Sequence, residues 1–156
     1  MHYGEDYQIR QTLSKKYVDQ VQHVIKKHFP EVKTLVFTGI SGAAVGYPVA
    51  YNLKLETFNF RKENSNAHTR CPIGILVPPA LFIDDFTDSG DTLQRAIRKV
   101  CGNKISEKFA GAIFYQGRYV AAQVRPSLPC RSYELIKDKI PGTTEHRIYS
   151  FRRKVK

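Results

Sequence analysis

A cluster of acidic and hydroxyl side chains follows an apolar run near the middle of the chain. Residues 81–83 are Leu-Phe-Ile, Asp84 and Asp85 come next, and the chain continues Phe-Thr-Asp-Ser-Gly-Asp-Thr through residue 92. The apolar run predicts a buried strand, and the polar stretch after it predicts a loop that opens onto a helix. In open α/β sheets, ligands bind beyond the carboxyl ends of the strands. The acid pair is therefore predicted to lie in a ligand site.

The loop after the acid pair has the composition of a phosphate site. The N-terminus of a helix presents unpaired backbone N–H groups and a partial positive charge, which suit a phosphate. Gly90 would let the backbone wrap closely around that phosphate, and the hydroxyls of Thr87, Ser89 and Thr92 could donate to it. The two carboxylates would repel a phosphate, so we expect them to face sugar hydroxyls or a divalent cation.

Hydrophobic periodicity predicts the elements that must position this segment. In chain order they are a helix over Ser14–Phe29, a strand over Thr34–Thr38, a helix over Ala43–Leu53, a strand over Glu56–Phe60, a strand over Ala80–Ile83 after a turn at Pro78-Pro79, a helix over Ser89–Val100 and a strand over Phe109–Tyr115. Pro48 is expected to kink the second helix or to mark a late start. Alternating strands and helices predict an α/β fold, with a mostly parallel central sheet, helices on both faces and right-handed crossovers.

Two segments do not fit this alternation. Residues 61–72 are polar and without periodicity, so we expect a long loop that acts as a lid or a binding segment. Beyond Gln116 three prolines interrupt the chain and no element is predicted.

Length and composition limit the functional classes. The 156 residues suit one domain, and no stretch reaches the roughly 20 apolar residues that span a bilayer. The start lacks the pattern of a signal peptide, and the three cysteines form no metal or disulfide spacing, so a cytoplasmic protein is expected. The net charge of +11 favours polyanionic partners, either nucleic acid or a small ligand with several phosphates.

The segment with the acid pair resembles the ribose-phosphate signature of the type I phosphoribosyltransferases. Two further segments match this family in order and spacing. Thr38-Gly39-Ile40-Ser41-Gly42 is similar to its pyrophosphate loop, and Phe58 to Glu63, running into His68, is similar to the flexible loop of the orotate and adenine branches. The resemblance covers residues 34–115, about half of the chain. It implies a single domain with a core over about 14–115 and a hood from residues 1–12 and 116–156.

The resemblance also implies roles for individual residues. Asp84 and Asp85 would hold the ribose hydroxyls of phosphoribosyl pyrophosphate (PRPP), directly and through Mg²⁺. The 5-phosphate would lie against the loop that consists of Thr87, Asp88, Ser89, Gly90, Asp91 and Thr92. The pyrophosphate would meet Thr38, Gly39, Ile40, Ser41 and Gly42, mainly through backbone N–H groups. Arg61, Lys62 and His68 would close over the leaving pyrophosphate, as part of the catalytic set with Asp88.

Two features of the sequence disagree about which base accepts the phosphoribosyl group. An aspartate at the position of Asp88 is typical of the 6-oxopurine branch, where it handles a proton on the ring. The loop from Arg61 to His68 resembles the orotate type instead, although Asn64-Ser65-Asn66-Ala67 stands where that loop has a second lysine. Asp91 adds a further negative charge to the phosphate loop. Purine is slightly favoured.

Two functions follow from these observations. The first is a nucleobase phosphoribosyltransferase that uses PRPP and Mg²⁺, releases pyrophosphate and, from the resemblance, forms a homodimer. The second is a regulatory protein on the same fold that senses PRPP or binds nucleic acid without catalysis. A charge map would discriminate between them, because basic residues on a face away from the loops indicate nucleic acid and a basic ring around the cleft indicates the small ligand.

Overall fold

The computed structural model describes residues 3–60, 73–85, 91–102, 108–115, 134–136 and 147–150. The elements, in chain order, are helix α1 (Tyr3–His28), strand β1 (Thr34–Phe37), helix α2 (Gly39–Leu53), strands β2 (Glu56–Asn59), β3 (Ile73–Gly74) and β4 (Ala80–Asp84), helix α3 (Asp91–Cys101), and strands β5 (Phe109–Phe114), β6 (Glu134–Ile136) and β7 (Arg147–Ser150). Over these ranges no helix combines the length and the apolar character that crossing a bilayer would require.

The seven strands that the structure describes belong to one sheet, in the order β3-β2-β1-β4-β5-β7-β6. Strands β2, β1, β4 and β5 are parallel to their neighbours within this group, and they form the centre of the sheet. The three remaining strands pair antiparallel, with β3 at one edge and β7 and β6 at the other. The predicted α/β class with a mostly parallel central sheet is confirmed.

Helices cover both faces of the sheet, as predicted. Side chains at alternate positions of a strand point to opposite faces. Leu35 and Phe37 of β1 pack with α1 and α2 in one apolar cluster, whereas Val36 between them packs with α3 in a second cluster. The side chains of strand β4 alternate in the same way, because Ile83 lies in the first cluster and Phe82 in the second. The central strands are therefore buried on both sides, which explains their continuous apolar runs.

The predicted starts of the first two helices were wrong. Helix α1 begins at Tyr3 rather than Ser14, since a serine is tolerated inside a long helix as well as at its cap. Helix α2 begins at Gly39 rather than Ala43, so Gly39 to Gly42 form its first turn instead of a separate connection. It also continues through Pro48, which excludes a late start there. Helix α3 is described from Asp91 onward, and its predicted start at Ser89 lies outside the described residues.

Three strands were not predicted from the sequence. Strand β3 has two residues and lies at the edge of the sheet, where Ile73 pairs with Asn59 of β2. Strands β6 and β7 belong to the proline-interrupted part of the chain, and β7 pairs antiparallel with β5 over four residues. Short edge strands depend on pairing with an existing sheet, so their own periodicity is too brief to identify them.

Helix α2 approaches β1 closely because two of its residues lack a side chain. A Cβ atom at Gly46 would lie 2.5 Å from Cδ1 and Cε1 of Phe37, and one at Gly42 would lie 2.9 Å from the Cβ of Phe37 and 3.4 Å from the carbonyl oxygen of Ile83. Both glycines are buried. The contact therefore fixes the height of α2 above the ends of β1 and β4.

Substituting Gly46 by alanine tests this contact. Helix propensity alone would stabilise the protein by up to about 1 kcal/mol, but overpacking against Phe37 costs about 1–3 kcal/mol. We expect the urea midpoint of Gly46→Ala to fall, and the double variant Gly46→Ala/Phe37→Leu to be less destabilised than the sum of the single changes, because leucine vacates the ring positions. A rise in the midpoint of Gly46→Ala would show that the contact is not tight.

Candidate functional site

The candidate site lies where β1 and β4 end side by side. These strands are parallel neighbours, with Thr34 opposite Ala80 and Val36 opposite Phe82. Asp84 is the last residue of β4, and Thr38 separates β1 from α2. The Ser41 hydroxyl donates to Oδ1 of Asp84 over 3.4 Å. The structure thus brings together two segments that the sequence analysis assigned to one site, although they are more than 40 residues apart.

The first turn of α2 is open to a ligand. Thr38 adopts an extended conformation before the helix, and its side chain makes no capping hydrogen bond. Gly39 has φ +72°, in the left-handed region that favours glycine, and the space beside its Cα is empty to 4 Å. Ile40 is 77% exposed. The leading N–H groups of a helix have no partner within it, so this turn can offer backbone donors to an anion.

Tyr115 connects the open turn to the end of β5. Its hydroxyl donates to the carbonyl oxygen of Ser41 over 2.7 Å, and its backbone N–H donates to the carbonyl oxygen of Asp84 over 3.1 Å. Its ring is buried and lies against Tyr17 of α1, with the ring centroids 4.8 Å apart. One residue therefore touches α1, α2 and β4 at the level of the acid pair.

Sequence reasoning missed this role of Tyr115. From the sequence, Tyr115 at the end of its strand is expected to be a core residue or one that stacks on a base, whereas the structure makes it the residue that joins three elements. A tyrosine that ends an apolar strand is nevertheless a usable signal, because a buried phenolic hydroxyl generally has a hydrogen-bond partner. The identity of that partner depended on the start of α2, which the sequence analysis placed four residues too late.

The two carboxyl groups of the acid pair have different environments. Asp84 is buried and Asp85 is half-buried. Burial, together with a hydrogen bond to the Asp85 side chain and the charge of Asp85, raises the pKa of Asp84 from 3.8 to about 7. The backbone N–H of Asp85, which donates to Oδ1 of Asp84 over 2.9 Å, and the Ser41 hydroxyl act in the opposite direction. A cation or donor hydroxyls at this pair would offset its unfavourable burial.

The donor set of the acid pair fits Mg²⁺. This ion prefers oxygen ligands and is commonly bound through one or two carboxylates, with water and substrate oxygens filling the other positions. Within the described ranges, no three His, Cys, Asp or Glu side chains lie together as a metal site. The pair would therefore hold Mg²⁺ together with a ligand rather than in a closed protein cage.

The remaining predicted residues fall into two groups. Asp91 and Thr92 begin α3, with Asp91 exposed and Thr92 half-buried, so both lie at a helix N-terminus as expected. Seven others lie outside the described residues, and their proposed roles stay predictions. They are Arg61, Lys62, His68, Thr87, Asp88, Ser89 and Gly90.

Comparisons with known proteins give distant similarities in structure. No protein-family model matches the chain, and no curated protein matches it. An orotate phosphoribosyltransferase from Aeropyrum pernix is 16% identical, with a TM-score of 0.49 over 63% of this chain and 55% of that chain. One from Francisella tularensis is 19% identical, with a TM-score of 0.43 over 58% and 44% of the two chains. An adenine phosphoribosyltransferase is 16% identical, with a TM-score of 0.44 over 63% and 64%. This chain thus spans less than two thirds of the length of each.

The raised pKa of Asp84 predicts a stability that depends on pH. Between about pH 4 and pH 7 the folded protein keeps a proton on Asp84 that the unfolded chain has lost, so the free energy of unfolding falls as the pH rises and stays low above pH 7. Asp84→Asn has no ionisable carboxyl at this position, so its free energy of unfolding does not fall for this reason as the pH rises. In EDTA, we expect the variant to gain stability over wild type from about pH 4 to pH 8, by at most about 4 kcal/mol.

Thermal unfolding monitored by circular dichroism across this pH range measures the effect. Asp19→Asn is the matched control, because Asp19 is an exposed carboxylate on α1. Its curve should run parallel to that of wild type. If the difference in unfolding midpoint between Asp84→Asn and wild type is the same at every pH, the ionisation of Asp84 does not destabilise the folded protein and the prediction is wrong.

Proposed function

We propose that this chain binds PRPP and transfers its phosphoribosyl group to a nucleobase, with release of pyrophosphate. The observation that supports this most is the contact between the buried Asp84 and Ser41 in the open first turn of α2. It brings an acid pair suited to sugar hydroxyls or Mg²⁺ beside backbone donors suited to an anion. PRPP carries these groups next to each other, because its pyrophosphate is attached at C1 of a ribose with two free hydroxyls.

Each part of the site has a role in this proposal. The side chains of Asp84 and Asp85 hold the ribose hydroxyls, and the backbone N–H groups of residues 39–42 bind the pyrophosphate. The loop from Thr87 to Thr92 binds the 5-phosphate at the start of α3. When bound at the acid pair, Mg²⁺ would neutralise charge on the leaving pyrophosphate.

The reaction exchanges one bond at C1 of the ribose for another. The C1–O bond to pyrophosphate breaks, its electron pair leaves with pyrophosphate, and a ring nitrogen of the base forms the new bond to C1. Positive charge develops on the sugar, so the neighbouring carboxylates stabilise the transition state. Asp88 accepts the proton that the base nitrogen loses. Arg61, Lys62 and His68 close over the pyrophosphate and exclude water, which would otherwise hydrolyse PRPP.

A purine acceptor is favoured over orotate by Asp88, since a carboxylate at this position can take a ring proton. The homodimer and the cytoplasmic location that accompany this function are part of the same proposal.

Binding of ribose 5-phosphate in the presence of Mg²⁺ tests the site without requiring catalysis. By isothermal titration calorimetry we expect wild type to bind and Asp84→Asn/Asp85→Asn to bind at least about tenfold more weakly, because each lost hydrogen bond to a charged group removes about 1.5–3 kcal/mol. Asp19→Asn should bind like wild type. Equal binding by all three proteins would place the sugar elsewhere.

The transfer itself is measured as pyrophosphate released from PRPP and Mg²⁺ with adenine, hypoxanthine, guanine, xanthine, uracil or orotate. We expect release with one of these bases, and its loss in Asp84→Asn/Asp85→Asn. Binding of ribose 5-phosphate without release from any base would refute the enzyme and retain the binding site.

Tyr115 is proposed as a positioning residue for the pyrophosphate donors, since its hydroxyl holds the carbonyl group of Ser41. We expect Tyr115→Phe to weaken pyrophosphate binding about fivefold, the effect of one lost hydrogen bond, and to leave ribose 5-phosphate binding unchanged. Tyr17→Phe, on the ring that packs against Tyr115, is the matched control and should affect neither ligand. A general loss of structure in Tyr115→Phe would instead reduce both affinities together.

A further inference from the structure

Basic side chains are concentrated at the amino ends of the parallel strands, opposite the candidate site. Of the ten Lys and Arg side chains that the structure describes, seven lie at this edge, and all seven are exposed. Two of the six described Asp and Glu side chains, Glu31 and Glu56, lie there too, whereas Asp84, Asp85 and Asp91 lie at the other edge. We call this surface the amino edge.

The strand starts place some of these charges in a row. The backbone N–H of Lys33 donates to the carbonyl oxygen of Pro79 over 2.9 Å, and the N–H of Ala80 donates to that of Lys108 over 2.7 Å. Lys33 and Lys108 thus stand on either side of the start of β4. Neighbouring strands are about 4.8 Å apart, so these two backbones are about 10 Å apart. This distance is about one Debye length, and the two charges act on a ligand together.

Helix ends add basic residues on both sides of this row. Helix α1 ends with Lys26 and Lys27 on one face of the sheet, and α3 ends with Arg98 and Lys99 on the other. Cations at helix C-termini also complement the helix dipole. The dipole alone would therefore explain these four basic residues, without any bound ligand. That explanation does not extend to Lys33, which precedes a strand. Neither Lys26 nor Lys33 forms an ion pair with any residue that the structure describes.

An exposed aromatic ring lies at the same edge. Tyr51 in the last turn of α2 is 86% exposed, and the N–H of Lys54 donates to its carbonyl oxygen over 3.4 Å. The adjacent Asn52 donates to Gln22 of α1 over 2.7 Å, one helical turn before Lys26. The last turn of α2, which carries Tyr51, therefore lies beside the C-terminal part of α1. Exposed aromatic rings among basic residues allow bases to stack while the backbone phosphates are neutralised.

We propose that the amino edge binds single-stranded nucleic acid. The basic row neutralises the phosphates and Tyr51 stacks on a base, so an unpaired strand satisfies both features, whereas a duplex hides its base faces. An anionic membrane would require a set of apolar side chains to insert, and the large exposed hydrophobic residues at this edge among the described residues are only Tyr51 and Ile75. The site is separate from the candidate PRPP site, and the proposal does not depend on it.

Fluorescence anisotropy with labelled oligouridine and oligothymidine of about 16 nucleotides tests the proposal. We expect wild type to bind, with an affinity that falls steeply from about 50 to 200 mM salt. Lys26→Gln/Lys33→Gln removes two phosphate contacts and should lower the salt slope by about 1.4, and the affinity at 0.1 M salt by about twentyfold. Lys15→Gln/Lys16→Gln is the matched control, with the same charge change far from the amino edge on the same helix, and should bind like wild type.

Tyr51→Ala separates base stacking from charge. It should weaken single-strand binding about tenfold with an unchanged salt slope, and leave binding to a duplex of the same length unaffected. Circular dichroism spectra and thermal unfolding midpoints like those of wild type show that each variant is folded.

Several results would overturn the proposal. They are no binding by wild type, equal losses in the Lys15/Lys16 control, binding of the duplex or of polyglutamate as tight as that of the single strand, or displacement by phosphatidylserine vesicles without any effect of Tyr51→Ala.

Discussion

The contact between helix α2 and the ring of Phe37 is the constraint on which the candidate site depends. Gly42 and Gly46 have no side chain that would separate the helix backbone from Phe37, so the distance of the helix from β1 is set by a direct contact of backbone and ring. With the helix at this height, the hydroxyl of Ser41 reaches the carboxyl of Asp84. A helix displaced outward by one methyl group would separate the open turn from the acid pair, although the fold would be unchanged. The two glycines are therefore part of the site without touching a ligand.

The two edges of the sheet differ in charge, and this difference follows from the topology. Every parallel strand is entered at one edge and left at the other, and the covering helices run in the opposite direction. The backbone of an α/β unit thus directs helix N-termini and strand ends to one edge, and helix C-termini to the other. In this chain, three of the described acids lie with the helix N-termini, and most of the described lysines and arginines lie with the helix C-termini. A ligand that binds to backbone N–H groups and one that binds to cationic side chains would consequently meet opposite ends of the molecule.

Local patterns in the sequence were sufficient for the centre of the fold and insufficient at its edges. Buried runs such as Leu81-Phe82-Ile83 predicted β4 and the acid pair at its end, because burial on both faces leaves a continuous apolar segment. The start of α2 could not be predicted in this way, since Gly39 and Gly42 are poor helix formers, and the place of Gly42 depends on its packing against Phe37. Strand β3 and the hydrogen bond from Tyr115 to Ser41 arise only when distant segments meet. The approach of Ser41 to Asp84 is of the same kind, because no local pattern encodes a contact across 43 positions.

Helix α1 is longer than the sheet that it covers, and this difference in length has a mechanical consequence. The helix spans 26 residues, and Tyr17 meets Tyr115 at the level of the acid pair. From there back to Tyr3 the backbone rises by about 21 Å, at 1.5 Å per residue. A continuous helix transmits bending and rotation along its length, and its lower half is clamped in the core by Val21, Val24 and Ile25. Because the helix is continuous, its segment before Tyr17 is held in line with this half.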